Sequence, residues 1–199
     1  MTTHSTGGVT ETTFATTVDG RLIPGVVWTP EGANGPRPLV LIGHGATHHK
    51  RVGYAAALAH GLVRDHGLAA AAIDGPGHGE RRDNPADAVT IFGEFMTEWY
   101  RPTTVDEMVA DWKAALELIW SLPAVGRGPV GYWGLSMGTI YGLPLAVLEP
   151  AVKVAVFGLM GLLGPTKDRL AADAASVRCP VLFIQQWDDA LVPRQDSLD

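Results

Sequence analysis

The chain has 199 residues, a length that suits one domain. Hydrophobic residues make up 46% and charged residues 18%, which supplies a core and excludes a disordered chain. The formal net charge of -6, with no basic cluster, excludes the electrostatics of a nucleic-acid binder. The single cysteine, Cys179, excludes an intrachain disulfide and a four-cysteine zinc site. It precedes Pro180 and an apolar run and reads as a small buried apolar residue. The N-terminal Met1–Gly8 is neither basic nor apolar, so it is no secretory signal. No apolar run is long enough to span a bilayer. The expectation is a cytoplasmic protein with no membrane partner.

In chain order, residues 1–10 read as a flexible tail and 11–199 as one domain. Thr12–Val18 and Leu22–Trp28 favour strands, with Asp19-Gly20 as the hairpin turn between them. Residues 31–38 form a Gly/Pro-rich loop. Leu39–Ile42 is a short continuous apolar run, the pattern of a strand buried on both faces. A helix is predicted from about Tyr54 to His66, stopped by Gly67. Leu68–Ile73 is a further strand, ending in the loop Asp74–Gly79. Residues 80–101 carry Phe92, Phe95, Met96, Trp99 and Tyr100, and form either a small cap over a pocket or a short helix packed on the core.

The clearest element is a helix over Thr104–Trp120. Thr104 and Glu107 have the spacing of a capping box. Val105, Met108, Val109, Trp112, Leu116, Ile119 and Trp120 make one apolar face, which is core packing and not a cofactor site. Then follow a strand over 128–134, a helix over 137–148 weakened by Gly142 and Pro144, a strand over 152–157, a helix over 167–175 and a strand over 181–185. Alternation of strands and helices predicts an α/β fold, a mostly parallel sheet with helices on both faces. Sites in such sheets lie at the carboxyl ends of the strands.

Three loops at those ends carry chemistry. Gly134-Leu135-Ser136-Met137-Gly138 fits G-x-S-x-G between a strand and a helix. The small neighbours admit a strained turn, and the helix N-terminus behind Ser136 favours developing negative charge. Gly43-His44-Gly45-Ala46 follows an earlier strand. In a hydrolase the N–H of Ala46 would pair with that of Met137 to hold an oxyanion, and His44 would brace the loop. Asp188-Asp189 follows the last strand, where a carboxylate can orient a histidine. The alternative for one of the two is a turn or capping role. Lys50 and Arg51 read as a solvated pair, or as a contact for an anionic group. His48-His49 lacks the carboxylate spacing of a metal site.

On these residues, together with Asp74-Gly75-Pro76-Gly77-His78-Gly79 and Asp189-Ala190-Leu191-Val192-Pro193, the chain resembles the α/β-hydrolase superfamily, in its esterase, dienelactone-hydrolase-like and prolyl-oligopeptidase-like branches. The resemblance implies a serine hydrolase acting on a small-molecule ester or acyl substrate, without a cofactor. It implies Ser136 as nucleophile, Asp189 rather than Asp188 as acid, and a structural role for His78. The family order ends with a histidine after a further strand, and no histidine follows His78. The expectation is therefore a C-terminally truncated copy, lacking the final strand and helix and associating with itself through an exposed sheet edge. An inactive remnant or binding protein on the same scaffold is the alternative.

Overall fold

The computed structural model describes residues 1–198. Among them the chain forms β1 (Thr2–Thr6), β2 (Val9–Val18), β3 (Arg21–Pro30), β4 (Leu39–Gly43), α1 (Gly53–His66), β5 (Ala69–Ile73), a 3₁₀ turn (Gly79–Arg81) and α2 (Ala88–Trp99). There follow α3 (Thr104–Trp120), β6 (Val130–Gly134), α4 (Met137–Leu148), β7 (Val152–Gly158), α5 (Lys167–Ser176), β8 (Val181–Ile184) and α6 (Arg194–Leu198). The strands make one sheet in the order β1-β2-β3-β5-β4-β6-β7-β8. The first three strands and the β3–β5 pair are antiparallel, and β5, β4, β6, β7 and β8 run parallel.

Alternation along the strands divides the core between the two faces. Ala70 and Ala72 of β5 join Val26, Trp28 and Ile42 against Ala55, Ala59 and Val63 of α1. Ala69, Ala71 and Ile73 join Leu41, Tyr132 and Phe157 on the other face, under α3 and α4. The run of small side chains in β5 is buried on both sides, as its continuous apolar sequence requires. All seven residues of the α3 stripe are buried. α4 runs unbroken through Gly142 and Pro144, and a Cβ on Gly142 would stand 2.0 Å from the Tyr132 ring packed against it. Asp19 and Gly20 take left-handed φ values of 48° and 79°, as the tight β2–β3 hairpin needs.

Three expectations are corrected: the N-terminal tail, the capping box and the burial of Cys179. Residues 1–10 are not a tail. Thr2–Thr6 pairs antiparallel with β2, Thr2 opposite Thr13, and Ser5 and Thr10 hydroxyls hydrogen-bond at 2.8 Å. The threonines that look like a polar tail are β-branched and suit a strand. The capping box does not form. Thr103 is the N-cap, Thr104 Oγ1 donates to the Glu98 carbonyl at 2.7 Å, and Arg101 takes both Glu107 oxygens at 2.6 and 2.7 Å. This charge-assisted fork outcompetes a neutral cap and holds Glu107 at about 2. Residues 80–101 hold the 3₁₀ turn and α2. Phe95 and Trp99 stack and are buried, and Trp99 Nε1 donates to Thr166 Oγ1 at 2.9 Å. Val89 and Phe92 remain exposed on the outer side. Cys179 is only partly buried against the core.

Candidate active site

Ser136 sits on the turn between β6 and α4 with φ 56° and ψ -120°. A left-handed conformation at a non-glycine residue costs roughly 1–3 kcal/mol and persists only where surrounding bonds enforce it. Here Ser136 N–H donates to the Gly158 carbonyl at 2.8 Å, and its own carbonyl accepts from Thr139 and Ile140 N–H at 2.8 and 3.1 Å. Thr139 Oγ1 lies 3.0 Å from the Gly134 carbonyl and 2.8 Å from that of Gly158, and it accepts the Gly158 N–H. The Ser136 hydroxyl is bonded to nothing among the described residues and is partly exposed at the N-terminus of α4.

The loop after β4 lies against this turn because β4 and β6 are neighbours, with Gly43 opposite Gly134. The approach is close enough that a Cβ on Gly138 would meet the Gly43 carbonyl oxygen at 2.6 Å. Within that loop the N–H groups are mostly satisfied. Gly45 donates to the Tyr54 hydroxyl at 2.8 Å, Thr47 to His78 Nε2 at 3.2 Å, His48 to the Gly45 carbonyl at 3.3 Å and Lys50 to Asp74 Oδ1 at 2.8 Å. The N–H groups of Ala46 and Met137 meet no acceptor among the described residues. Thr47 follows Ala46 with φ 68°, a second strained residue. Two unpaired donors and an unbonded hydroxyl therefore share the carboxyl ends of adjacent strands.

His44 and His78 are both buried and both used as braces. Nδ1 of His44 donates to the Gly45 carbonyl at 2.8 Å, and its Nε2 accepts from Gly75 N–H at 2.9 Å. His78 donates from Nδ1 to the Pro76 carbonyl at 2.7 Å while Nε2 accepts from Thr47. Accepting at one ring nitrogen requires the neutral form. Burial, with the neighbouring His78, pushes His44 down to about 3, and burial likewise lowers His78. With both nitrogens of each ring engaged, neither histidine is free to take a proton from Ser136.

The reading of Lys50 and Arg51 as a solvated pair is corrected. The Lys50 side chain is 2% exposed, and its ammonium lies 2.5 Å from Asp74 Oδ2 and 2.8 Å from Glu80 Oε1. Arg51 donates to Glu11 Oε1 and Thr13 Oγ1, both at 2.8 Å. The Lys50 charge is internal and closed to an incoming anion, whereas Arg51 is partly exposed and already paired with Glu11 and Glu80. No spacing in the sequence announces this, because Lys50 and Asp74 stand on different loops. Tyr54 and Thr139 also hold the site, and they too lack a sequence signal.

Asp189 lies in the loop after β8, two strands from β6 in the sheet. Its Oδ1 accepts from Leu191 and Val192 N–H at 2.8 and 3.0 Å. The turn role reserved for Asp188 thus falls to Asp189, whose second oxygen has no partner among the described residues. No hydrogen bond joins Asp189 to Ser136 or to any of the seven histidines. Among the described residues, no group of three or more His, Cys, Asp or Glu is placed to hold a metal ion. No helix among the described residues is long and apolar enough to cross a membrane.

The chain superposes on a solved, PEG-bound cold-adapted esterase from an Arctic intertidal metagenomic library. The TM-score is 0.87 at 42% identity, over 98% of this chain and 80% of that one. The chain belongs to the α/β-hydrolase superfamily. This α/β-hydrolase chain is also similar to a dienelactone hydrolase-like promiscuous phosphotriesterase from metagenomic libraries, at 25% identity and TM-score 0.73, over 96% of this chain and 74% of that one. Among curated proteins it is 32% identical over 139 residues to 2,6-dihydropseudooxynicotine hydrolase of Paenarthrobacter nicotinovorans. That alignment takes in 70% of this chain and spans about a third (32%) of the relative's length. No family model matches the chain.

Proposed function

We propose that the chain carries the nucleophile and oxyanion hole of a serine hydrolase acting on small-molecule carboxylic esters. The observation that carries the reading is the pairing of a strained, unbonded Ser136 hydroxyl with two unpaired N–H groups, Ala46 and Met137, on adjacent strands. Ser136 Oγ attacks the ester carbonyl carbon, and the carbonyl electrons move onto oxygen. The two N–H groups hold that oxyanion in a fixed place, the term that contributes most in such sites. Collapse breaks the ester C–O bond and the alcohol leaves carrying the proton given up by the Ser136 hydroxyl; water then adds to the acyl carbon and releases the acid, returning a proton to Ser136. Asp189 is the acid, its partnerless oxygen serving to orient and stabilise a histidine. Esterase and hydrolase relatives support the reaction class.

A second reading, a binding protein on a hydrolase scaffold, is favoured by one observation. None of the seven histidines bonds to Ser136 or Asp189, and the two buried ones, His44 and His78, are locked. The oxyanion hole and binding alone still leave a residual acceleration of roughly 10³–10⁴ over water in triad-deficient enzymes. Incubation with a p-nitrophenyl ester, quenched in acid and followed by intact mass, separates the two. A slow acyl adduct on Ser136, absent from Ser136→Ala, supports the hydrolase. No adduct on a chain that melts cooperatively supports the binding protein.

A further inference from the structure

We propose that Lys50 is a positioning residue for the Ala46 oxyanion donor, acting through Asp74; the proposal rests on the reading of Ala46 given above. Two loops are stapled together at regular intervals. His44 bonds to Gly75 N–H, Thr47 N–H to His78, and Lys50 to Asp74 and Glu80. Every third residue of one loop is thus tied to the other, and Ala46 lies between the first two ties with its own N–H free.

The third tie differs in kind from the others. The first two are single neutral hydrogen bonds. At the third, Asp74, itself 0% exposed, accepts the Lys50 ammonium at 2.5 Å and the Glu80 N–H at 2.9 Å on one oxygen, and the Lys50 N–H at 2.8 Å on the other. Backbone and side chain of Lys50 are therefore fixed at once. Burial pushes the Asp74 carboxyl up, but the Lys50 ammonium and amide pull it further down, so it stays charged. Arg51 extends the tie to Glu11 and Thr13 of β2 and to Glu80. Taking an ammonium and a carboxylate out of water is costly, and apolar replacement of such a pair is often neutral or stabilising. The pair therefore gives the fold little net stability, and its consequence is geometric: it holds the segment 45–50 at one distance from the end of β5 and so fixes where the Ala46 N–H lies relative to that of Met137.

The test compares the wild type with Lys50→Met and with the double variant Lys50→Met/Asp74→Asn, in which no buried charge is left unpaired. The rate of Ser136 modification by a fluorophosphonate is measured against reagent concentration, separating the limiting rate from half-saturation. The double variant, folded by its melting transition, should lose about 10²-fold in limiting rate with half-saturation unchanged, the size of losing one oxyanion donor. Amide exchange over residues 45–48 should rise about tenfold or more as the segment opens locally. A pair that served stability alone would let the folded double variant react at the wild-type rate, and that result overturns the proposal. If wild-type Ser136 does not react at all, the hydrolase reading fails separately. Exchange then decides the proposal: unchanged protection of 45–48 in the double variant overturns it, and faster exchange upholds the positioning.

Discussion

Replacing Gly138 by alanine tests how tightly the Ser136 turn and the Ala46 loop are fitted. The added Cβ would stand 2.6 Å from the Gly43 carbonyl oxygen and 3.0 Å from its carbon, both backbone atoms that cannot swing aside. Ordinary contact begins at 3.4 Å, so β4 and the start of α4 must part by about 0.8 Å. Overpacking of this kind costs roughly 1–3 kcal/mol. For a domain of this size each kcal/mol lowers the melting temperature by about 2–4 °C. The shift also carries the Ala46 N–H away from the Met137 N–H, and a misplacement near 1 Å costs about 10²-fold in rate. The assay is fluorophosphonate modification of Ser136 by intact mass, beside a thermal melt. A Gly138→Ala chain that melts as the wild type and reacts at the wild-type rate would refute the packing argument.

The lowered values of the buried His44 and His78 mean that the unfolded chain binds more protons than the folded one below about pH 6.5. Stability contributed by the neutral rings is full above that pH and is lost as pH falls, with a slope of up to about 1.4 kcal/mol per pH unit for each ring. Urea unfolding between pH 7.5 and 5, above the carboxylate range, should show the loss, and a flat profile would contradict it. At the sheet edge, Leu182 is 61% exposed, and Val154, Phe183 and Ile184 stand open beside it. We propose that this uncharged edge pairs with a second copy. Light scattering should show a concentration-dependent mass that Leu182→Lys abolishes at unchanged melting temperature, whereas a wild-type monomer at all concentrations would remove the proposal.

Much of the fold was legible because its signals were local. The α3 stripe from Val105 to Trp120 repeats at helical spacing and is buried as a face, and the apolar runs of β4 and β5 mark strands covered on both sides. The turn at Ser136 was legible because G-x-S-x-G fell between a strand and a helix. What escaped depends on competition or on distance along the chain. The capping box failed because Arg101, three residues before Thr104, offers Glu107 a stronger partner. The threonines of β1 carry a tail's polarity and a strand's branching, and only pairing with β2 decides between them. The Lys50–Asp74 pair joins residues 24 apart in sequence, and burial of a lysine runs against the ordinary preference of its side chain.

The central claim is that Ser136 is a poised nucleophile facing an oxyanion hole. Fluorophosphonate modification of the purified chain, read by intact mass with Ser136→Ala as control, tests it most directly. A poised Ser136 gives one adduct, located on Ser136 and absent from the control, formed faster than on free serine. A folded chain that takes up no adduct, or one that is modified equally with Ser136 replaced, would contradict it.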